Sequence, residues 1–334
     1  MDDLRPPTFA DVLAARKRIA PYLRPTPLFP YEALGALVGT AVWVKHENHQ
    51  PVGAFKVRGG VNLLAQLSPE ERARGVIAAS TGNHGQSVAY AARLFGVRAI
   101  VCVPESPNPA KVGAMRGLGA EIVEHGRDFD VAREHAAGLA AEHGYRYIHS
   151  GNEPDLIAGV ATGTLELLED EPGIDVIVVP IGGGSGAAAA CIAAKAVRAG
   201  IEVIGVQSEA APAAYRTWKE GRPVEDRMET FAEGLATRTP FELPQRIMRE
   251  HLDDFILVSD DEIRSAMVAM IETTRNLVEA AGAASLAGAL RLRERLAGSR
   301  VALICSGGNV SVPQLADVLA RAGRVGRPPA GPGA

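Results

Sequence analysis

One lysine of this 334-residue sequence stands among small and apolar residues. Lys56 lies in "GAFKVRGG", with glycines on both sides and Phe55 directly before it. Loss of hydration lowers the pKa of a lysine and makes the neutral amine available as a nucleophile. The other lysines are interpreted as hydrated surface charges: Lys17, Lys45, Lys111, Lys195 and Lys219. Lys56 is therefore the candidate catalytic residue.

A glycine-rich turn joins a buried strand to a helix in "VIVVPIGGGSGAAAACIAA". It consists of Gly182, Gly183, Gly184, Ser185 and Gly186. Such a turn presents free backbone N–H groups at the positive end of a helix dipole, which suits a phosphate. The turn lacks the lysine and Ser/Thr of a Walker A loop and the spacing of a dinucleotide fingerprint. A bulky residue at Gly183 or Gly184 is expected to weaken phosphate binding far more than folding.

Two further turns also follow predicted strands. The turn in "ASTGNHGQSVA" offers hydroxyl, amide and backbone donors for a carboxylate, from Ser80, Thr81, Gly82, Asn83 and His84. Simple capping of a helix would explain one of these polar residues but not all of them. The third turn is "LICSGGNV". Ligands of parallel sheets bind beyond the carboxyl ends of the strands, so the three turns and Lys56 are predicted to form one site. An amine beside a phosphate site and a carboxylate site is what a pyridoxal phosphate enzyme requires.

The motifs "GAFKVRGG", "STGNHGQ", "PIGGGSG" and "CSGGN", in this order, resemble the fold type II pyridoxal phosphate enzymes. The resemblance is to the threonine/serine dehydratase (ammonia-lyase) and serine racemase branch and covers about residues 20–315. It implies a two-lobed α/β fold like the tryptophan synthase β chain. Each lobe is then an open, mostly parallel sheet flanked by helices. It also implies pyridoxal 5'-phosphate as cofactor, an amino acid substrate, and a homodimer or homotetramer.

The resemblance also assigns roles to the matching residues. Lys56 binds the cofactor as a Schiff base and carries the Cα proton. Phe55 packs beside the cofactor ring, and Asn83 hydrogen-bonds its 3-hydroxyl. The other cofactor contacts come from Gly182, Gly183, Gly184, Ser185 and Gly186 to the phosphate, Ser306 to the pyridine nitrogen, and the acidic Glu279. The substrate carboxylate is assigned to Ser80, Thr81, Gly82, Asn83 and His84.

The implied reaction is β-elimination of water. A hydroxyl such as that of Ser306 does not keep the pyridine nitrogen protonated as a carboxylate would, which favours prompt loss of a β-substituent. We expect an L-threonine or L-serine type substrate to give a 2-oxo acid and ammonia. Alternatives are a hydroxyaspartate or phenylserine-type dehydratase, a racemase of the same fold, or a catalytically silent binding protein. Thr81 stands where racemases carry a serine, and its methyl group favours dehydration.

The same resemblance argues against a structural metal. Relatives that bind a divalent cation carry acidic residues at the end of a strand and just after it, in the stretch that here reads "GVQSEAAPAAY". This sequence has Gln207, Ala211 and Ala213 at those positions, so we expect no bound Mg²⁺ or Mn²⁺. Glu209 and Glu233 are the remaining acidic candidates nearby.

The chain is predicted to form two domains. Strands alternating with helices between residues 75 and 150 indicate a small domain with a parallel sheet. Residues 1–67 and 153–320 are predicted to form a large cofactor-binding domain. The stretch 212–254 contains four prolines and is expected to be irregular, and the Pro/Gly-rich residues 321–334 are expected to be disordered. We expect no separate regulatory domain.

Composition excludes several classes of partner. A net charge of −4 and a pI near 6.1 give no reason to expect binding to nucleic acid or an acidic membrane. The start shows no signal peptide, and the uncharged stretch 176–194 is interrupted by Pro180 and glycines. The three cysteines form no disulfide or zinc pattern. We therefore expect a cytoplasmic protein with reduced thiols.

Overall fold

The structure, a computed structural model, describes residues 4–322. Its strands are β1 (Leu28–Pro30), β2 (Ala41–His46), β3 (Val76–Ala79), β4 (Ala99–Val103), β5 (Glu121–Glu124), β6 (Arg146–Tyr147), β7 (Val176–Pro180), β8 (Glu202–Ser208), β9 (Asp254–Val258) and β10 (Arg300–Cys305). Its α-helices are α1 (Phe9–Ile19), α2 (Glu32–Val38), α3 (Lys56–Leu64), α4 (Pro69–Arg74), α5 (Asn83–Phe95), α6 (Pro109–Gly117), α7 (Phe129–His143), α8 (Pro154–Asp170), α9 (Ser185–Val197), α10 (Ala213–Glu220), α11 (Glu242–His251), α12 (Asp260–Thr274), α13 (Ala280–Arg291) and α14 (Val312–Ala322). Short 3₁₀ turns occupy Glu47–His49 and Glu233–Leu235.

The strands form two open sheets. The larger sheet has six strands in the order β1-β2-β10-β7-β8-β9, and the smaller has four in the order β5-β4-β3-β6. Every pairing is parallel except that of β1 with β2. Strands β3, β4, β7 and β8 are buried along nearly their whole length, because helices cover both faces of each sheet. The predicted α/β class with two mostly parallel sheets is confirmed.

Two stretches are more regular than the sequence indicated. Within 212–254 the chain forms α10 and α11. Pro212 precedes α10 and Pro244 is the third residue of α11, positions where a missing N–H breaks no helical hydrogen bond. After β10, helix α14 includes residues 321 and 322 of the predicted tail. Residues 323–334, the rest of that tail, lie outside the described residues.

The three cysteines lie in the protein interior. Cys102, Cys191 and Cys305 are buried and unpaired. Burial raises the pKa of Cys102 to about 11 and that of Cys191 to about 12, so both thiols stay protonated at neutral pH. Over residues 4–322, no helix combines the length and the apolar composition needed to cross a membrane.

A buried ion network anchors α3. The Arg58 guanidinium donates to both carboxylate oxygens of Glu47, at 2.7 and 2.9 Å, and of Glu166 on α8, at 2.7 and 2.6 Å. Lys45 Nζ donates to Glu166 at 3.1 Å and to the Thr26 carbonyl at 2.7 Å. Lys45 is completely buried, so its interpretation as a hydrated surface charge was wrong. Its partner Glu166 lies far away in the sequence, so no local sequence pattern around Lys45 predicts the ion pair.

Glycines let α3 approach the helices on either side of it. A Cβ on Gly59 would lie 2.6 Å from Leu156 Cγ on α8, and one on Gly60 would collide with Ser87 on α5. The Ser87 hydroxyl donates to the Lys56 carbonyl at 2.7 Å. These close contacts leave α3 little freedom to shift.

Replacing Arg58 with methionine should destabilise the protein by about 3–5 kcal/mol, because Glu47 and Glu166 then remain buried without their main cation. Urea unfolding measures the loss. The matched control is Arg98→Met, which removes the solvent-exposed pair with Glu121 and should cost at most about 1 kcal/mol. Equal losses in the two variants would contradict the proposed role of the buried network.

Candidate active site

The three predicted turns meet around Lys56, the first residue of α3. Lys56 Nζ donates to the Ser185 hydroxyl in the glycine-rich turn at 2.7 Å and to the Ser150 carbonyl at 2.9 Å. The carboxylate turn follows β3, the glycine-rich turn follows β7, and the third turn follows β10. All three leave the carboxyl ends of parallel strands, as the sequence predicted.

The environment of Lys56 suits a reactive amine. Burial lowers the pKa of Lys56 to about 8. Its Nζ lies 5.3 Å from the centre of the Phe55 ring, and its hydrogen-bond partners are an uncharged hydroxyl and a carbonyl. A substantial fraction of the amine is therefore neutral near pH 8.

The glycine-rich turn ends at the start of α9. Gly184 precedes the helix with φ +87°, and within the described part of the chain no side chain caps this helix start. The N–H groups of its first turn are therefore available to an anion. A Cβ on Gly183 would collide with the Phe241 ring, and one on Gly182 with the Gly234 carbonyl. Steric crowding at Gly183 and the positive φ of Gly184 make these glycines structural as well, so a bulky residue at either position should also lower folding stability. The expectation that phosphate binding is weakened far more than folding stays a prediction.

The carboxylate turn presents backbone donors more than side chains. The Ser80 hydroxyl accepts from the Gly82 N–H at 3.2 Å, Thr81 is exposed, and α5 begins at Asn83 without a side-chain cap within residues 4–322. His84 Nε2 donates to the Ile148 carbonyl at 3.1 Å. Burial, and next the charge of Lys56, lowers the pKa of His84 to about 3, so its ring is neutral. Nδ1 is then only an acceptor and does not donate to a carboxylate. His84 can contribute its main-chain N–H instead.

Asn83 takes part in a chain of side-chain hydrogen bonds. Its Nδ2 donates to Glu279 Oε1 at 2.7 Å, and its Oδ1 accepts from Asn309 Nδ2 at 2.8 Å. Burial raises the pKa of Glu279 to about 7, against the opposing effect of the bond from Asn83. Sequence reasoning placed Asn309 in the third turn but gave it no role.

The third turn is paired with the segment that leads to Lys56. The Phe55 N–H donates to the Ser306 carbonyl at 3.0 Å, and the Gly308 N–H donates to the Gly53 carbonyl at 2.9 Å. Ser306 is buried at the end of β10, and its side chain lines a small cavity together with Phe55 and Gly186. Predicted residues from distant parts of the chain therefore share one site.

Two parts of the site were not assigned from the sequence. The Ser150 carbonyl accepts from Lys56, and Phe241 packs on Gly183 and meets the His149 ring edge-on at a centroid distance of 4.8 Å. Every residue has a main-chain carbonyl, so the residue types in the sequence do not predict the contact of the Ser150 carbonyl with Lys56. Phe241 lies in the stretch that was expected to be irregular, so no periodic pattern marked it.

The acidic candidates for a cation are engaged elsewhere. Glu209 accepts from Arg291 at 3.1 Å, and Glu233 is paired with Lys111 and accepts from Gln314 at 2.7 Å. Gln207 Oε1 accepts from the Tyr215 N–H at 3.0 Å. Among residues 4–322, no group of three or more His, Cys, Asp or Glu side chains is placed to hold a metal.

An amine of lowered pKa, an uncapped glycine-rich helix start and a second helix start for a carboxylate define an enzyme that uses a carbonyl cofactor bearing a phosphate. Residues 19–307 match the family model described as "Pyridoxal-phosphate dependent enzyme". The chain belongs to this family, and within it to the ammonia-lyases of the threonine dehydratase type.

Two ammonia-lyases and one solved structure illustrate what the chain is similar to. The chain is 38% identical to L-threo-3-hydroxyaspartate ammonia-lyase of Saccharomyces cerevisiae, over 94% of this chain and 96% of the relative. It is 36% identical to L-threonine ammonia-lyase of Thermotoga maritima, over 91% of this chain and 76% of the relative. The crystal structure of serine racemase from Dictyostelium discoideum superposes with a TM-score of 0.86 at 33% identity, covering 92% of this chain and 99% of that one.

The residues present fit pyridoxal phosphate. Lys56 would supply the amine, and the first turn of α9 would supply N–H donors with no competing cap in the described range. A Cβ on Gly186 would lie 3.5 Å from the Phe55 ring, so a larger side chain would fill the space between the glycine-rich turn and this aromatic face. The N–H groups match the cofactor's phosphate, which anchors it, and the amine matches its aldehyde, which reacts.

Borohydride reduction of the cofactor-bound protein should place the pyridoxyl label on Lys56, within the peptide 48–60. An aldehyde reacts with the neutral form of an amine. When pyridoxal phosphate and borohydride are added to the cofactor-free protein, labelling of Lys56 should therefore increase with pH around a midpoint of about 8, the pKa of Lys56. Peptide mapping by mass spectrometry measures both, with Lys56→Arg as the unlabelled control. A label on another lysine, or a midpoint at the ordinary lysine pKa, would disprove the assignment.

Proposed function

We propose that this protein catalyses β-elimination of water from a small β-hydroxy-α-amino acid of the L-threonine or L-serine type, giving a 2-oxo acid and ammonia. One observation carries the proposal. Lys56 Nζ, with a pKa of about 8, is held at 2.7 Å from the glycine-rich turn and close enough to His84 to lower the pKa of that ring. A proton acceptor therefore lies between a phosphate site and a carboxylate site.

Each part of the site has a task in this reaction. The bound cofactor withdraws electrons from the substrate Cα. The first turn of α5, from Asn83 onward, orients the substrate carboxylate through main-chain N–H groups. Lys56 then removes the Cα proton, for which an amine of lowered pKa is well matched to neutral pH. The resulting Lys56 ammonium returns that proton to the departing β-hydroxide, which leaves as water, and another water hydrolyses the released enamine to the 2-oxo acid and ammonia. Ser185 and the Ser150 carbonyl fix the position of Nζ for that transfer.

Elimination is preferred over racemisation because racemisation needs a second proton carrier on the opposite face of Cα. Thr81 is the candidate for that position by resemblance. Its side chain is exposed at the turn, whereas the neighbouring Ser80 hydroxyl is bonded to the Gly82 N–H. A branched threonine also has a restricted side-chain rotamer, which limits approach to Cα.

3-Hydroxyaspartate is a second candidate substrate. It is supported by the yeast relative and by Lys111 on α6, whose Nζ lies 3.8 Å from the position of a Cβ on Gly82. A cation beside the carboxylate turn suits a second substrate carboxylate. Lys111 is already paired with Glu233, however, and this favours an uncharged substrate side chain.

The protein should convert L-threonine or L-serine to the 2-oxo acid much faster than it converts either of them to its D-enantiomer. A 2-oxo acid assay, run with chiral chromatography of the residual amino acid, compares the two rates. Thr81→Ser should raise racemisation relative to elimination, because the methyl group is lost and the hydroxyl is kept. Faster formation of D-amino acid by the unaltered protein would reverse the proposed preference.

Glu233→Gln should shift the preference toward 3-hydroxyaspartate by freeing Lys111. We expect the ratio of kcat/KM for 3-hydroxyaspartate to that for threonine to increase about two- to fivefold, the effect of one partly exposed ion pair. Adding Lys111→Met to this variant should remove the gain. An unchanged ratio in Glu233→Gln would show that Lys111 does not contact the substrate side chain.

A further inference from the structure

We propose that Asn309 is a positioning residue that fixes the orientation of the Asn83 side-chain amide, so that Asn83 presents an N–H to the 3-oxygen of pyridoxal phosphate. The inference rests on the cofactor site described above and extends it to a residue outside the direct contacts. Asn309 lies in the third turn, and Asn83 begins α5. The two residues come from turns that follow different sheets.

The polarity of the hydrogen-bond chain is set by the main chain. Asn309 Nδ2 donates to the Val52 carbonyl at 2.8 Å and to Asn83 Oδ1 at 2.8 Å. A backbone carbonyl is only an acceptor, so the end of Asn309 that faces Val52 must be its NH₂ group. The same NH₂ group faces Asn83, and the atom of Asn83 that receives it must therefore be the oxygen.

The other end of the Asn83 amide is thereby defined as the NH₂ group. One of its hydrogens is donated to Glu279 Oε1 at 2.7 Å, and one hydrogen is left for a ligand. If the amide turned around, its oxygen would face the Glu279 carboxylate and Asn309 would lose an acceptor. Glu279 and Asn309 thus favour the same orientation of the Asn83 amide. Of these two residues, Asn309 has no titratable side chain, so its effect does not depend on pH.

That independence matters because Glu279 titrates near neutral pH. Burial raises its pKa to about 7, and the charged groups that act on it are Lys111, which lowers the pKa, and Glu233, which raises it. A protonated Glu279 has lost its charge and holds the Asn83 NH₂ group less strongly. The bond from Asn309 is between two uncharged amides and keeps the orientation on both sides of this transition.

The consequence for the cofactor is electrostatic. An N–H donated to the 3-oxygen stabilises its ionised form, whereas an amide oxygen in the same place stabilises the protonated form. Asn309 thereby keeps the pKa of this oxygen low without contacting it. The absorbance of the bound cofactor distinguishes the two ionisation states in the absence of substrate, so the effect is measurable without turnover.

The experiment is a pH titration of the absorbance of the purified, cofactor-bound protein. Asn309→Asp places acceptors opposite Val52 and Asn83 and should turn the Asn83 amide around. We expect the midpoint of the spectral transition to rise by at least about one pH unit, the size of one lost hydrogen bond to a charged group. Asn309→Ser, which adds no charge, should shift it in the same direction by a smaller amount.

A double-mutant cycle separates positioning from a general effect on the fold. In an Asn83→Ala background, Asn309→Asp should move the midpoint by less than about 0.3 pH unit, since the amide through which it acts is gone. The matched control is Gln314→Glu, which adds the same charge to the pocket that Asn309, Glu279 and Gln314 line together but does not touch Asn83. It should leave the midpoint of the transition unchanged.

Two outcomes would overturn the inference. One is an equal shift from Asn309→Asp with and without Asn83, and the other is an equal shift from Gln314→Glu. Urea unfolding of each variant shows whether it still folds. If Asn309→Asp does not fold, Asn309→Ser gives the deciding measurement. A protein with no cofactor absorbance at all would instead contradict the proposed function, so the two failures are distinguishable.

Discussion

The main chain around Lys56 is held in place by bonds that do not involve its amine. Two residues further on, Arg58 is locked between the carboxylates of Glu47 and Glu166. On the other side, the Phe55 N–H is bonded to the third turn. Because these bonds position the main chain of Lys56, the amine itself can be buried and partly neutral. The position of the Lys56 amine between the glycine-rich turn and the carboxylate turn depends on the bonds made by Arg58 and by the Phe55 N–H.

The charges near Lys56 are arranged so that they leave its pKa to burial. Arg58 and Lys45 are cations in the same region, and each is matched by a carboxylate at short distance. An unbalanced cation would depress the pKa of the amine further, and an unbalanced carboxylate would restore its positive charge. The balanced network does neither, and the pKa of Lys56 is lowered by loss of hydration alone.

The sequence predicted the parts of the site that are written in local patterns. Glycine and polar residues directly after apolar strands located all three turns, and the apolar setting of Lys56 indicated an amine of lowered pKa. Pairings between distant residues were not predictable in this way. Lys45 looked like a surface charge because Glu166 is remote in the sequence. The ring of His84 donates to the Ile148 carbonyl, which lies directly after β6 and is also remote in the sequence. Helices α10 and α11 were missed because prolines at helix starts resemble prolines in loops.

The packing of α3 also bears on how the chain matures during translation. Gly59 is complementary to Leu156 of α8, and Arg58 needs Glu166 of the same helix, so both contacts await a segment made much later than α3. While the nascent chain lacks α8, Arg58 keeps its hydration shell and the lysine beside it has no dry environment. The amine of lowered pKa therefore forms only after α8, which ends at residue 170 of the 334, has been synthesised. Until then an aldehyde would meet only an ordinary protonated lysine.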